Sequence, residues 1–454
     1  MTKCHSEIWA GRYVEALDLG VMKLRAETRG KAVRSLKELE SEVACDHLLF
    51  GLQQVNLITA QTEPIIRLCL ERALAHSRSV YADPKAALRA AYQGVTLRED
   101  NVPILLTGLA GVGKSRIRIS LQRILAKRTE VLVDEAHPPV PLIGYADCTI
   151  GQQSSTLGVL RPLAHPEIAS GRVKVKTSEI SQKCASWQRV VGSCLLGVDE
   201  TQFMAQSDTA STLITRTLLA LADVGLPWFY TANYSLIWKM LARPSEATQR
   251  LLSHPIVVLP DPPNSEDWMA LMKEFDVVVV EAFEFKLVSR SSDLWNLCAG
   301  LKRLLIKLLV HSYRLARDAG SHKVAWEHVS QAFLSVTLHT HRREVDLLIA
   351  YAGQGGDLRR DLKCPFDGPA ITARSAGYQQ QLRAARDSEV ARQSVKSAMT
   401  GEEKAAVEGI ERISQPVVSQ PGKAAVPRAK TGSLEQLLGA GKGLREMLRR
   451  KPHA

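Results

Sequence analysis

Close cysteine pairs are missing from this sequence. Its 8 cysteines stand at positions 4, 45, 69, 148, 184, 194, 298 and 364, with no C-x-x-C spacing among them. That scatter argues against a zinc ribbon or a disulfide framework and suits a reducing compartment, with most thiols expected as small buried apolar groups. Long apolar runs are missing too: none approaches the ~20 residues a membrane-crossing helix needs. The opening MTKCHSEIWAGRY lacks the charged, apolar and small-residue succession of a secretory leader. A soluble, cytoplasmic chain without a membrane partner is expected. The one close histidine pair, His339 and His341 in LHTHRREVD, has no cysteine or carboxylate arrangement beside it to complete a metal site, so a solvated helix face is the expectation.

Acidic residues are outnumbered, 47 against 59 Lys and Arg, for a formal charge of +12. A basic excess favours polyanions, because neutralised phosphates release counterions. Charge alone leaves ribosomal RNA, DNA and an acidic membrane surface open. The length, 454 residues, exceeds a usual single core and predicts one large domain or two, with extensions.

Hydrophobic spacing organises the chain into four parts. Residues 1–91 read as a helical N-terminal extension suited to partner binding, with PIIRLCLERALAHS its clearest helix; Pro64 falls in the first turn, and Ile65, Leu68, Leu70 and Leu74 on the buried side. Residues 92–262 alternate short apolar runs (VPILLTG, LIGYADC, CLLGVDE, LPWFYTAN, PIVVLPDP) with longer amphipathic intervals, which predicts a parallel sheet flanked by crossover helices. Residues 263–350 return to helical spacing and predict a small helical lid. From 351 to 454 large apolar residues thin out, and a largely flexible basic tail is expected. One island, SLEQLLGAGKGLREMLRRK, sets Leu434, Leu437, Leu438, Leu444, Met447 and Leu448 at helical spacing, interrupted by Gly439, Gly441 and Gly443. It reads either as a short helix that folds on a partner or as a frayed basic tail.

The chemistry concentrates in LLTGLAGVGKSRIRISL. Gly108, Gly113, Lys114 and Ser115 match G-x-x-x-x-G-K-[ST] between an apolar run and a helical pattern. Glycines there let backbone N–H groups curl around phosphate oxygens at the positive end of the next helix. Gly108, Gly111, Val112, Gly113, Lys114, Ser115 and Arg116 form the candidate nucleotide-binding set, with Lys114 on the terminal phosphates and Ser115 on magnesium. CLLGVDETQ then supplies Asp199 for the metal and Glu200 to orient and deprotonate an attacking water. Asn233, at the tip of LPWFYTAN, can hold that water or the γ-phosphate, or else cap a turn. In LARPSEATQRLLSHP, Arg250 is the first choice and Arg243 the second for an arginine that reaches a neighbouring copy's site; a surface ion pair is the alternative. Arg303, ahead of its neighbour Lys302, can reach back to the nucleotide from the head of an amphipathic helix, unless it is an ordinary solvated cation. Arg172, Lys174, Lys176 and Lys183, with Arg189 and Trp187, form a basic segment that reads as a phosphate-backbone contact or as a charged edge strand.

Together these features resemble the AAA+ ATPases. LTGLAGVGKS, YADCTIGQQSST, LLGVDETQ, YTANYSL and RPSEATQRLLSHPIVVLP look like the TnsC and TniB regulators of cut-and-paste transposons, over roughly Tyr92 to Ile349. That resemblance implies an α/β AAA+ P-loop fold with a helical lid, ATP and Mg2+ as cofactors, and ATP hydrolysis without DNA cleavage. Asn233 matches the family's sensor-one position, Arg250 its arginine-finger region and Arg303 its sensor-two region. The implied partners are duplex DNA, further copies of the chain in a ring or filament, a target-selecting protein and the transposase; hydrolysis would reset the assembly. Two rival classes stay open at this point: a replication helicase loader, and a nucleotide-gated signalling scaffold that does not bind DNA.

Overall fold

The computed structural model describes residues 5–94, 102–127, 129–133, 139–150, 155–199, 208–243, 245–355, 357–400 and 403. The chain divides into two compact units, Met1–Met399 and Thr400–Ala454. Glu200 and the apolar island at 433–451 lie outside the described residues.

The strands are β1 (Ile104–Gly108), β2 (Thr129–Val131), β3 (Val140–Leu142), β4 (Ala146–Thr149), β5 (Leu196–Asp199), β6 (Trp228–Asn233) and β7 (Pro255–Val258). Five of them form a parallel sheet in the order β4-β5-β6-β1-β7, while β2 and β3 pair antiparallel by themselves. Every residue of β1 and β5 is buried, as continuous apolar runs require when helices cover both faces of a sheet. The first sheet strand therefore lies between the fourth and the fifth, with the chemistry at the carboxyl ends. This is the α/β parallel sheet flanked by crossover helices that the hydrophobic spacing predicts. One apolar run divides: LIGYADC contributes Leu142 to β3 and its last three residues to β4.

The residues before β1 are helical over His5–Ala16, Leu19–Ala26, Ser41–Gln54, Thr62–Val80 and Pro84–Tyr92. Pro84 opens the last of these behind Asp83, whose carboxylate accepts from the Ala86 N–H. These helices share the hydrophobic core of the sheet. Trp9 is fully buried, stacks on Tyr81 with ring centroids 4.3 Å apart, and lies over Gly192. A β-carbon at Gly192 would fall 2.6 Å from the Trp9 ring, and φ there is +68°, so glycine is needed twice over. Tyr13 donates from its hydroxyl to the Gly144 carbonyl at 2.7 Å. What reads in sequence as an extension is part of the same packed unit.

Helix α1 (Lys114–Ile124) follows β1. Three N-terminal contacts strap it: Asn56 Nδ2 to Ser120 Oγ at 2.9 Å, Arg123 Nη1 to Thr28 Oγ1 at 2.6 Å, and Arg25 Nη1 to the Ile124 carbonyl at 3.4 Å. Beyond the sheet the chain is helical over Glu266–Val278, Ser291–Cys298, α2 (Lys302–Asp318), Trp326–Leu334 and α3 (His339–Gln354). Ser265 caps the first of these through the Trp268 N–H, and Trp268 and Trp295 are fully buried.

Two expectations need correction. The segment from 351 onward is not flexible throughout: Pro369–Ala398 forms a helix, α4, packed on α3. Ala, Gln and Arg are strong helix formers, and Tyr378 and Leu382 are buried while Ile371 and Ala385 are half-buried, a seam at helical spacing. Arg383 donates to the Ala352 carbonyl at the α3 terminus, and Tyr378 to the Ala299 carbonyl at 2.9 Å. The second correction is that RVKVK is no edge strand. It is irregular chain ahead of the helix Ile180–Val190, with Arg172, Lys174 and Lys176 exposed. Among the described residues no helix is long and apolar enough to cross a membrane.

Candidate nucleotide site

The loop after β1 has the backbone that its glycines permit. Gly111 and Gly113 sit at φ +84° and +118°. At Gly108 a β-carbon would fall 2.3 Å from the Val258 carbonyl oxygen, so strand β7 can pass closely only because no side chain intervenes. Val112 is buried against Gly108. Gly113 precedes α1 and no side chain caps that terminus. The positive end of the helix dipole thus meets the glycine loop, an arrangement that can receive an anion.

Lys114 is buried and folds over the loop, its ammonium donating to the carbonyls of Gly108 and Leu109, each at 2.9 Å. Ser115 donates from Oγ to Asp199 Oδ1 at 3.3 Å. This oxygen pair, from the first turn of α1 and the tip of β5, suits magnesium, which takes one or two protein oxygens and keeps several waters. Asn233 pairs in register with Gly108, so the tip of β6 stands beside the loop; its half-buried side chain makes no helix-cap bond, which removes the capping role.

The helical region reaches the same loop. The Arg303 N–H donates to the Gly111 carbonyl at 3.2 Å, and a β-carbon at Gly111 would fall 2.8 Å from Arg303 Cβ. Lys302 pairs with the buried Asp261 at 2.8 Å, and Trp295 Nε1 donates to the Asp261 carbonyl at 2.9 Å. The start of α2 is therefore fixed both to the loop and to the chain leaving β7.

The structure thus brings together Gly108, Gly111, Val112, Gly113, Lys114, Ser115, Asp199, Asn233 and Arg303. Other candidates stand apart. Arg116 donates to the Gln53 carbonyl at the end of an N-terminal helix; burial, then the nearby Arg123, lowers its pKa. Arg250 lies on the helix Ser245–Leu252, more than half exposed, 3.9 Å from Asp223. Arg243 donates to Thr212 Oγ1 at 3.1 Å. Lys183 is exposed on Ile180–Val190, where Trp187 packs edge-on against His165. His339 and His341 each face a cation, Arg342 Nη2 at 3.3 Å and Lys307 Nζ at 3.0 Å. Burial and then Lys307 lower the His341 pKa.

No family model and no curated protein matches this chain. Among solved structures it is similar to the Aeropyrum pernix ORC2 protein in ADPNP–ADP complexes, at 14% identity over 67% of this chain and 79% of that one, with TM-score 0.38. The Aeropyrum pernix ORC1 protein in complex with DNA is 16% identical over 60% and 68%, TM-score 0.31. The Thermotoga maritima RuvB Holliday junction branch migration motor is 12% identical over 60% and 75%, TM-score 0.30. At TM-scores this low the likenesses carry no functional weight.

Four site residues escaped the sequence reading. Arg118 donates from Nε to Asp199 Oδ2 at 3.1 Å and from Nη1 to Asp147 Oδ2. Thr231 donates to Asp199 Oδ1, and Tyr145 to Asp147 Oδ1 at 3.0 Å. Burial works against the Arg118 charge, but Asp147, reinforced by Asp199, holds its pKa above the ordinary value. Two signals were available: Arg118 follows Ser115 by three residues on one helix face, and Thr231 precedes Asn233 by two on one strand face.

Proposed function

We propose that this protein is an ATP-hydrolysing AAA+ regulator of transposition that assembles on duplex DNA and links target selection to transposase recruitment. The observation that carries the nucleotide part is the convergence of Lys114, Ser115, Asp199, Asn233 and the Arg303 backbone on one glycine loop. In this reading the loop N–H groups and the start of α1 hold the phosphates, and Lys114 leaves the loop carbonyls to contact the terminal ones. Ser115 and Asp199 hold magnesium, which when bound neutralises charge that develops on the phosphates. Glu200, next in sequence to Asp199, orients and deprotonates the water, with Asn233 positioning it.

Arg303 gives the helical region a direct stake in the loop, so nucleotide state biases how α2 sits and thereby how copies meet. The exposure of Arg250 supports a role toward a neighbouring copy. The exposed Arg172, Lys174, Lys176 and Lys183 support a sequence-independent DNA contact. The transposition context rests on the resemblance of the five motif stretches.

The test is equilibrium binding to labelled random-sequence duplex DNA with ATP, a slowly hydrolysed analogue, ADP or no nucleotide, at several salt concentrations. Cooperative binding that needs the ATP form is expected, and Glu200→Gln should bind DNA but release it slowly. Salt-insensitive weak binding, or none, in every state would refute the DNA role and favour a signalling scaffold.

A further inference from the structure

Asp199 already has a cation. It is 3% exposed, and its Oδ1 accepts from Ser115 and Thr231 while its Oδ2 accepts from Arg118. Arg118 has a second seat on Asp147, one strand over on β4, and Tyr145 fixes Asp147 through its other oxygen. Tyr145 is placed by a missing side chain: a β-carbon at Gly197 would lie 1.9 Å from its hydroxyl oxygen. The elements of a two-position cation are thus built in, one guanidinium between two carboxylates.

We propose that Arg118 competes with magnesium for Asp199 and withdraws onto Asp147 as the metal arrives, so that the Arg118–Asp147 pair sets how much magnesium nucleotide binding requires. This rests on the ATP-binding reading above. A divalent ion at Asp199 repels a guanidinium seated on the same carboxylate, and Asp147 offers a half-exposed counter-charge that keeps the displaced arginine from being stranded. Arg118 and Asp147 act through Asp199, as positioning residues.

Binding of a fluorescent ATP analogue is measured in EDTA and across a magnesium titration for the wild type, Arg118→Gln and Asp147→Asn. The two variants should shift the half-saturating magnesium concentration in opposite directions, each by about tenfold, the equivalent of ~1.4 kcal/mol. Arg118→Gln lowers it by removing the competitor; Asp147→Asn raises it by removing the second seat. For Asp147→Asn, which leaves Arg118 seated on Asp199, binding in EDTA should change little, and this separates the role from general damage to the fold. Unchanged magnesium midpoints, or shifts in the same direction, overturn the proposal. Should Arg118→Gln fail to fold, Asp147→Asn decides alone, and an unchanged midpoint there overturns it. Wild-type protein that binds no nucleotide with or without magnesium would instead sink the ATP reading itself.

Discussion

Replacing Gly111 by alanine tests whether the helical region is fastened to the phosphate loop. Gly111 sits at φ +84°, a left-handed backbone that costs an L-residue such as alanine ~1–2 kcal/mol. The new β-carbon would stand 2.8 Å from Arg303 Cβ, where carbons prefer ~3.5–4.0 Å, so loop and helix must part by about 1 Å. The Arg303 N–H to Gly111 carbonyl bond, already 3.2 Å, cannot survive that movement, a further ~0.5–1.5 kcal/mol. The sum is a loss of about 1.5–3.5 kcal/mol. Gly171→Ala is the internal control: φ is +80°, and nothing stands within 4 Å of a β-carbon there. Urea unfolding of the nucleotide-free protein should therefore show Gly111→Ala less stable than Gly171→Ala by ~0.5–1.5 kcal/mol, read from midpoints at equal slope. Equal losses would show that the Arg303 contact contributes nothing.

Lys114→Ala should abolish the ATP dependence of DNA binding, and a variant that keeps it in the duplex assay would remove Lys114 from the phosphate role. Gly197→Ala should drive Tyr145 and Phe229 from their places at a cost of ~1–3 kcal/mol, seen as a lowered Tm; adding Tyr145→Phe should recover part of the loss, because the hydroxyl is the nearest obstacle. Lys174→Ala with Lys176→Ala should weaken duplex binding and flatten log K against log salt by about 2, two phosphate contacts at ~0.9 each. An unchanged slope would move the DNA contact elsewhere on the chain.

The parts of the site legible in sequence are those that local chemistry specifies. Glycines before a lysine, an aspartate ending an apolar run and an asparagine ending another each carry their own reason, and the sheet places them at one edge because β1 lies between β6 and β7. Arg118 is far less legible, for the opposite reason. A cation on an amphipathic helix reads as a solvated face, and its meaning comes from Asp147 and Asp199, delivered by two other strands. Helix α4 escaped because a composition poor in large apolar groups reads as entropy-dominated, although a few well-spaced residues suffice when the partner helix is already in place. The N-terminal helices were visible as helices; their burial against the sheet was not, since amphipathic spacing records that a face is covered and not by what.

The seating of Trp9 over Gly192 bears on how the molecule can be cut down for study. A trimmed chain beginning just ahead of β1 would retain every phosphate-site motif and look complete by sequence, yet it would lose the stacked Trp9 and Tyr81, lay Gly192 bare and release the straps on Ser120, Arg123 and Ile124. Its helix bearing Lys114 and Ser115 would be held from the sheet side alone. Poor turnover or clumping by such a fragment would report the surgery, and not the native machine.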